Sequence, residues 1–372
     1  MIRIGLLTIF RAYNYGAVLQ AFALYSMLKD LGADVWMVNY EPKELHEHSK
    51  RSLYNPQKSL VSNIKHFIRY YLFGYERRKE QAFRSFVRDK FKLTPLCDSS
   101  LDVIDKDFDL LVVGSDQVWN PAYTGGKLDD GFLLKEVAPC AKKYSYASSA
   151  GSVVFNCEDG TLLHRALSKF DAVSVREESL RIQLVRFGLS NVKTVVDPTM
   201  LVPSNFWVSC SAEYDAFCPQ SPYLLIYSFD NNSECFKTAK KVADLLNLVV
   251  VSINFKFGGC EVADVNISNA SPLEFVALFK NCSYVVTNSF HGTCFSLIFA
   301  KEFFSINKRN NPARIRNLLE KYDLRSRLIF SSESVIPENL HFSYVKSQKK
   351  ITESREESLN FVKNTILGNE EQ

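Results

Sequence analysis

One histidine, His291, stands in the segment whose residue types are best suited to chemistry. It follows the apolar run Tyr284 to Thr287 and precedes an apolar helical stretch that starts at Cys294. Histidine exchanges protons near neutral pH, the free N–H groups of a helix N-terminus attract anions, and Gly292 would let a ligand approach the backbone. A histidine on its own is more often structural, but this combination indicates an anion-binding site that moves protons.

Two polar segments in the first half also follow apolar runs. Asn14, Tyr15 and Gly16 precede a helix whose N-terminal N–H groups could hold an anion or a sugar hydroxyl, although a glycine there also serves a simple turn. The segment 114–120 combines hydrogen-bonding groups with an aromatic face: Asp116, Gln117, Trp119 and Asn120. Such a set suits a sugar ring. The alternative is that the polar residues cap a helix and the indole fills the core.

An arginine and a group of basic residues could supply positive charge. Arg176 ends an apolar run, and its planar guanidinium binds carboxylate or phosphate groups at two points. An ion pair with Glu177 or Glu178 is the alternative. Asp197 ends another run and is equally consistent with a turn. Three more basic residues follow His291 after one further predicted strand: Lys308, Arg309 and Arg314.

Apolar runs of strand length alternate with helical stretches along the whole chain. The main strand candidates are Ile2 to Phe10, Val35 to Asn39, Phe108 to Val113, Lys143 to Ala147, Ala172 to Val175, Val192 to Val196, Tyr223 to Ser228, Leu248 to Ile253, Ser283 to Thr287 and Phe303 to Ile306. The main helix candidates are Gly16 to Leu31, Ser179 to Phe187, Cys235 to Leu246, Thr293 to Ala300 and Ala313 to Tyr322. This alternation predicts an α/β fold of two Rossmann-like, doubly wound domains facing a cleft, with the polar segments at the carboxyl ends of the strands.

The length of 372 residues exceeds what one core supports, so two domains are expected. We predict a first domain over residues 1–205, a second over 206–345, and a C-terminal helix and tail over 346–372 that pack back on the domains. The crossing between domains is expected within Pro203 to Pro222, where no period is evident.

A basic, aromatic-rich helical insert is expected at about residues 44–94 of the first domain. Its basic residues include Lys65, Arg69, Arg77, Arg78, Lys79, Arg84, Arg88, Lys90 and Lys92. A helix of this kind can lie on anionic lipid. It can equally cover the sheet and present a solvated basic face, and both alternatives are open at this stage.

Composition excludes several classes of protein. The formal net charge of +4 is too small to indicate nucleic-acid binding. The nine cysteines are scattered and show no zinc-ligand spacing, so we expect reduced core thiols and no metal. The apolar run Ile4 to Phe10 lacks a cleavage site and fits a first strand, and no run approaches the roughly 18 residues of a membrane span. A cytoplasmic protein is expected, with peripheral contact at the inner face of the membrane as an option.

Six ordered motifs resemble the polysaccharide pyruvyl transferase family over roughly residues 2–322. They are Asn-Tyr-Gly-Ala-Val-Leu-Gln (14–20), Gly-Ser-Asp-Gln-Val-Trp-Asn (114–120), Tyr-Ala-Ser-Ser-Ala-Gly (146–151), Val-Arg-Glu-Glu-Ser (175–179), Asp-Pro-Thr (197–199) and Ser-Phe-His-Gly-Thr (289–293). The resemblance implies a glycosyltransferase-B-like fold and transfer of an enolpyruvyl unit from phosphoenolpyruvate to a sugar of a surface-polysaccharide precursor. A cyclic pyruvate ketal forms on two hydroxyls and phosphate is released, without a cofactor. The acceptor in the family is often lipid-linked.

The resemblance also implies roles for individual residues. His291 matches the family histidine and is expected as the general acid/base, with contact to the donor phosphate as its competing role. Arg176 matches a family arginine for the donor, and Asp116 joins these two as a catalytic candidate. The residues expected to bind the donor, on the second domain apart from the arginine, are Arg176, Ser289, His291, Gly292, Lys308, Arg309 and Arg314. Those expected to bind the acceptor, on the first domain, are Asn14, Tyr15, Gly16, Asp116, Gln117, Trp119 and Asn120.

The sequence departs from the family at one position of the donor site. Many members carry arginine two residues before the histidine, where this chain has Ser289. Lys308, Arg309 or Arg314 would have to supply the missing charge. Two other functions are compatible with the sequence, a glycosyltransferase that uses a nucleotide sugar and a catalytically inactive relative that binds a glycan.

Overall fold

The structure, a computed structural model, describes residues 1–42, 75–97, 108–135, 141–228, 232–253, 259–307 and 313–368. The chain forms two units. The first comprises Met1–Leu201 and Ser354–Gln372, and the second comprises Val202–Glu353. The sequence placed the division after residue 205 and set residues 346–372 apart, whereas the structure divides the units after Leu201 and returns to the first unit at Ser354.

A parallel sheet of six strands lies at the centre of the first unit. The strands are β1 Arg3–Leu7, β2 Asp34–Met37, β3 Leu110–Val113, β4 Lys142–Ser148, β5 Ala172–Val175 and β6 Val192–Thr194. Their order is β2-β1-β3-β4-β5-β6, and Ile4 pairs with Val35 on one side and with Leu110 on the other. Because parallel strands are buried on both faces, they consist of nearly continuous apolar residues, and the sequence could therefore predict them. The winding reverses between β1 and β3, and ligands bind at such switch points.

Helices cover this sheet. In the described part of the unit they are α1 Tyr15–Asp30, α2 Tyr75–Lys90, α3 Cys157–Leu167, α4 Glu178–Arg186 and α5 Pro198–Leu201. The aromatic face of α2 packs on α1, with 5.1 Å between the ring centroids of Phe83 and Tyr15 and 5.2 Å between those of Phe86 and Phe22. Its opposite face is basic and exposed. The described part of the predicted insert therefore covers the fold, while Lys65, Arg69 and the rest of residues 43–74 lie outside the described residues.

The C-terminal residues of the first unit are held by its own strands. The N–H of Val196 donates to Oγ of Ser358 at 3.0 Å, and the ring of Phe361 lies 6.5 Å from that of Tyr146. Residues Phe361–Ile366 form a π-helix. The predicted C-terminal helix thus ends in contact with the sheet of the first unit.

The second unit is built on another parallel sheet of six strands. These are β7 Tyr223–Tyr227, β8 Val249–Ile253, β9 Val265–Ile267, β10 Tyr284–Thr287, β11 Glu302–Ile306 and β12 Leu328–Ile329. The order β12-β11-β10-β7-β8-β9 is the 3-2-1-4-5-6 arrangement of dinucleotide-binding sheets, with the switch point between β7 and β10. The sequence missed β9 and β12, which are three and two residues long and too short to show a period.

The helices of the second unit include one in the stretch that the sequence marked as a crossing. In the described residues they are α6 Ser204–Ser211, α7 Ser233–Leu246, α8 Pro272–Asn281, α9 Phe290–Ile298 and α10 Ala313–Lys321, while α11 Val345–Asn360 begins in this unit and continues into the first at Ser354. Trp207 of α6 is fully buried, with its ring 5.2 Å from that of Phe295. The prediction of an irregular crossing over Pro203 to Pro222 was wrong, because Trp207 anchors α6 in the core of the second unit.

The described residues also bear on thiols and membranes. All the cysteines within them are free, but Cys157 is exposed and Cys210 is half-buried, so these two are not core thiols. In the same ranges, no helix combines the length and the apolar character that crossing a bilayer requires.

Candidate active site

His291 lies at the switch point of the second sheet. The neighbouring strands β7 and β10 end at Tyr227 and Thr287, where the Thr287 hydroxyl donates to the carbonyl of Tyr227 at 2.6 Å. The chain then turns through buried Asn288 and Ser289 into α9, whose second residue is His291. His291 as a whole is 6% exposed. The topology therefore places the predicted histidine where sheets of this order bind ligands.

Ser289 caps the helix that carries the histidine. Its side chain accepts from the N–H of Gly292 at 3.3 Å, and its carbonyl accepts from the N–H of Thr293. Because of this cap, α9 begins at Phe290 and not at residue 293, as the sequence suggested. The hydroxyl oxygen of Ser289 thus serves the helix and the residue is 1% exposed, while its expected role in donor binding stays a prediction.

Gly292 is required by packing and not by a ligand. A Cβ atom here would overlap Oγ1 of Thr287 and lie 3.0 Å from Cδ1 of Tyr227. The N–H of Gly292 is bound to Ser289 and its carbonyl to the hydroxyl of Ser296. The expectation that this glycine opens the backbone to the donor is therefore corrected: it lets α9 approach β7 and β10.

One of the predicted donor-site cations lies beside the start of α9. The guanidinium carbon of Arg314 lies 4.8 Å from the centroid of the Phe290 ring, and that ring contacts the imidazole of His291 edge-on at 5.3 Å. The positive end of the helix dipole is at the same place. Lys308 and Arg309 lie outside the described residues.

The predicted acceptor residues at the start of α1 are engaged within the fold. The side chain of Asn14 accepts from the N–H groups of Gly16 at 2.9 Å and of Ala17 at 3.3 Å, so it caps α1. Tyr15 is fully buried, and its ring lies 5.0 Å from Nζ of Lys79. Asn14 is therefore engaged in the cap and Tyr15 against α2, and the acceptor role expected of Asn14, Tyr15 and Gly16 stays a prediction.

The segment after β3 presents only two of its four predicted side chains. Trp119 is 1% exposed, and its indole N–H donates to the carbonyl of Phe132 at 3.1 Å. Asn120 caps the following turn and donates to Oε1 of Gln117 at 2.8 Å. The aromatic platform expected of Trp119 is therefore wrong, and the alternative of a core indole is confirmed. Asp116 and Gln117 are half-buried at the switch point of the first sheet.

Arg176 is surrounded by carboxylates. Its Nε donates to Glu177 at 3.1 Å, Nη1 donates to Asp197 at 2.8 Å, and Nη2 lies 3.9 Å from the carboxylate of Asp116. Nη2 also donates to the hydroxyl of Ser149 at 3.1 Å. Burial alone lowers the pKa of Arg176, but Glu177, Asp197 and Asp116 outweigh it and hold that pKa above its usual range.

Of the two interpretations of Arg176, the structure contains the ion pair with Glu177. The Nε, Nη1 and Nη2 atoms of Arg176 all donate to groups of the same unit, so the guanidinium is engaged within the fold. Asp197 also forms a turn, since its Oδ1 accepts from the N–H of Thr199 at 2.9 Å. The cluster ties together the ends of β3, β4 and β5 and the segment that follows β6.

A depression at the carboxyl ends of β1 and β2 was not anticipated. It is lined by residues 8–12, 40–42 and Phe132. The sequence contained a signal, since residues 8–12 and 40–42 directly follow predicted strands, but nothing in it placed Phe132 beside them.

Similar solved structures share the fold. A UDP-GlcNAc 2-epimerase from Neisseria meningitidis, solved with UDP-GlcNAc bound, is 11% identical, with 99% of this chain and 100% of that one covered and a TM-score of 0.54. A Listeria monocytogenes protein described as such an epimerase is 10% identical, with 99% and 98% covered and a TM-score of 0.55. At these identities the likeness concerns the fold alone, and it confirms two parallel-sheet α/β domains of the glycosyltransferase-B type.

Sequence comparison identifies the family. No curated protein matches the chain. The family model described as polysaccharide pyruvyl transferase matches residues 14–310, which include the segments around Asp116, Arg176 and His291. This protein therefore belongs to the polysaccharide pyruvyl transferase family and is a transferase with a sugar acceptor.

Proposed function

We propose that the protein transfers an enolpyruvyl unit from phosphoenolpyruvate to a sugar of a surface-polysaccharide precursor. The product is a cyclic pyruvate ketal, and phosphate is released. The observation that carries the proposal is the position of His291, in the first turn of a helix at the switch point of the second sheet. A proton-transferring group beside a helix N-terminus suits a donor that is both an anion and an enol.

The donor carries a carboxylate and a phosphate. The N-terminal end of α9 and the guanidinium of Arg314, stacked on Phe290, supply positive charge next to His291. The imidazolium of His291 protonates the methylene carbon, which becomes a methyl group. Electron deficiency then develops at the neighbouring carbon, where one sugar hydroxyl adds and gives up its proton. The C–O bond to phosphate breaks, the second hydroxyl closes the ring, and its proton leaves with the phosphate.

A carboxylate of the first unit is suited to receive a hydroxyl proton. Asp116 is mostly buried, with 14% of its side chain exposed, and lies at the switch point of that sheet. Arg176 is buried behind it and contacts Asp116, Glu177 and Asp197. We assign Asp116 to the acceptor hydroxyl and Arg176 to positioning of this carboxylate. Direct contact of Arg176 with the donor is the competing assignment.

The function is tested by incubating the protein with phosphoenolpyruvate and sugars ending in galactose, glucose or N-acetylmannosamine, free and lipid-linked. Released phosphate with a matching mass gain on the sugar is expected. His291→Ala should abolish transfer while circular dichroism stays unchanged, and the exposed His164→Ala should be fully active. Turnover of a UDP-sugar without use of phosphoenolpyruvate would instead establish a glycosyltransferase.

A further inference from the structure

The depression in the first unit contains an arginine whose orientation is fixed from one side. Nε of Arg11 donates to Oδ1 of buried Asn39 at 2.8 Å. Its terminal nitrogens make no hydrogen bond with any residue in the described ranges, and the side chain is half-buried. A guanidinium anchored at Nε directs its two terminal amino groups to a ligand with little further loss of freedom.

Apolar and aromatic groups form the remainder of the lining. The rings of Tyr40 and Phe132 meet edge-on at 5.4 Å, and the hydroxyl of Tyr40 donates to Asp129 at 3.0 Å. Ile9 and Pro42 add aliphatic surface. Clefts that bind small ligands combine such surface with a few oriented polar groups.

The charges of the depression favour an uncharged ligand. Glu41 lines it together with Arg11, so the lining contains one acidic and one basic side chain. A guanidinium donates to hydroxyl oxygens and a carboxylate accepts from hydroxyl hydrogens, while a pyranose ring has apolar C–H faces that pack on aliphatic and aromatic surface. An anionic ligand would gain from Arg11 but would be opposed by Glu41.

The depression also adjoins the segment that carries Asp116. The hydroxyl of Thr8, one of its lining residues, donates to the carbonyl of Ser115 at 2.8 Å. We infer that this depression binds a neutral pyranose unit of the acceptor through Arg11 and Glu41, an inference that rests on the proposed function. The acceptor is then bound by residues other than Asn14, Tyr15 and Trp119.

The test compares Arg11→Gln with Arg186→Gln, which removes an exposed arginine from α4 of the same unit. Steady-state kinetics should show an acceptor KM raised roughly tenfold in Arg11→Gln, as expected for a lost charged hydrogen bond. The KM for phosphoenolpyruvate should not change, and Arg186→Gln should match the wild type. Glu41→Gln should also raise the acceptor KM. An unchanged acceptor KM in both Arg11→Gln and Glu41→Gln would overturn the inference and leave the proposed function intact.

A direct measurement of sugar binding distinguishes the proposed pyranose site from the proposed pyruvyl transfer. Saturation-transfer NMR with methyl β-galactoside, methyl β-glucoside and galacturonate needs no turnover. Signals from a neutral glycoside that vanish in Arg11→Gln and persist in Arg186→Gln would support the site even if no pyruvyl transfer occurred. Preference for galacturonate, or no signal from any of the three sugars with the wild type, would overturn it.

Discussion

Nη1 of Arg176 donates a hydrogen bond to Oδ2 of Asp197 at 2.8 Å, and only 2% and 1% of these side chains are exposed. Glu177 and Asp116 approach the same guanidinium. Buried carboxylates are tolerated only when they are paired. One arginine thus holds three acidic groups from three different segments at the edge of the first sheet.

Replacing Arg176 should destabilise the protein strongly. Arg176→Ala would remove the guanidinium that pairs with the buried carboxylates of Glu177 and Asp197, and we expect the free energy of unfolding to fall by about 3–5 kcal/mol. Arg176→Lys should restore only part of the lost stability, because the ammonium of lysine cannot reach the separate partners that the planar guanidinium contacts. Urea denaturation followed by fluorescence measures both.

An exposed ion pair provides the control. Arg181 contacts Glu178 on α4, with 37% and 49% of the side chains exposed, so Arg181→Ala should leave the free energy of unfolding nearly unchanged. Wild-type stability in Arg176→Ala combined with lost binding of phosphoenolpyruvate would show instead that Arg176 contacts the donor.

Ser289 should matter for the stability of α9 and not for donor affinity. Ser289→Ala removes the cap and is expected to cost about 1 kcal/mol, whereas Ser289→Asn should keep most of it. Ser289→Arg, which introduces the arginine that many relatives have, should destabilise the fold because the position is 1% exposed. Thermal melts and the KM for phosphoenolpyruvate are the measurements. A lower KM in a stable Ser289→Arg variant would assign this position to the donor.

The sequence predicted the strands better than the surroundings of the site. Leu110–Val113 is buried throughout. A parallel strand of this kind can be recognised from its apolar residues alone, without knowledge of the strands beside it. Whether Tyr15 or Trp119 faces a ligand depends on Phe83 and Phe132, which reach them only through the tertiary fold. The start of α9 was misplaced for another reason: a helix beginning Phe-His-Gly has weak propensity and depends on the Ser289 cap.

Any binding to membranes through α2 should be electrostatic. Its aromatic residues Phe83 and Phe86 are buried against α1, which leaves the exposed Arg77 and Arg78 to meet lipid headgroups. Changing both arginines to glutamine should weaken binding to vesicles with anionic lipid about thirtyfold, at roughly 1 kcal/mol per charge. The same change at Lys346 and Lys349, exposed on α11, removes equal charge and should have little effect. If the wild type and both double variants bound the vesicles equally in a sedimentation assay, α2 would not be the membrane-binding element.

The free thiols should differ sharply in reactivity. Cys157 is exposed at the first position of α3, while burial raises the pKa of Cys282 to about 12. The thiolate is the reactive form, and at pH 8 a pKa four units higher leaves roughly one Cys282 in ten thousand ionised. Iodoacetamide followed by peptide mass spectrometry should label Cys157 first and leave Cys282 intact until urea unfolds the chain. Labelling of both at one rate in the native protein would show that the core around α8 and β10 opens readily.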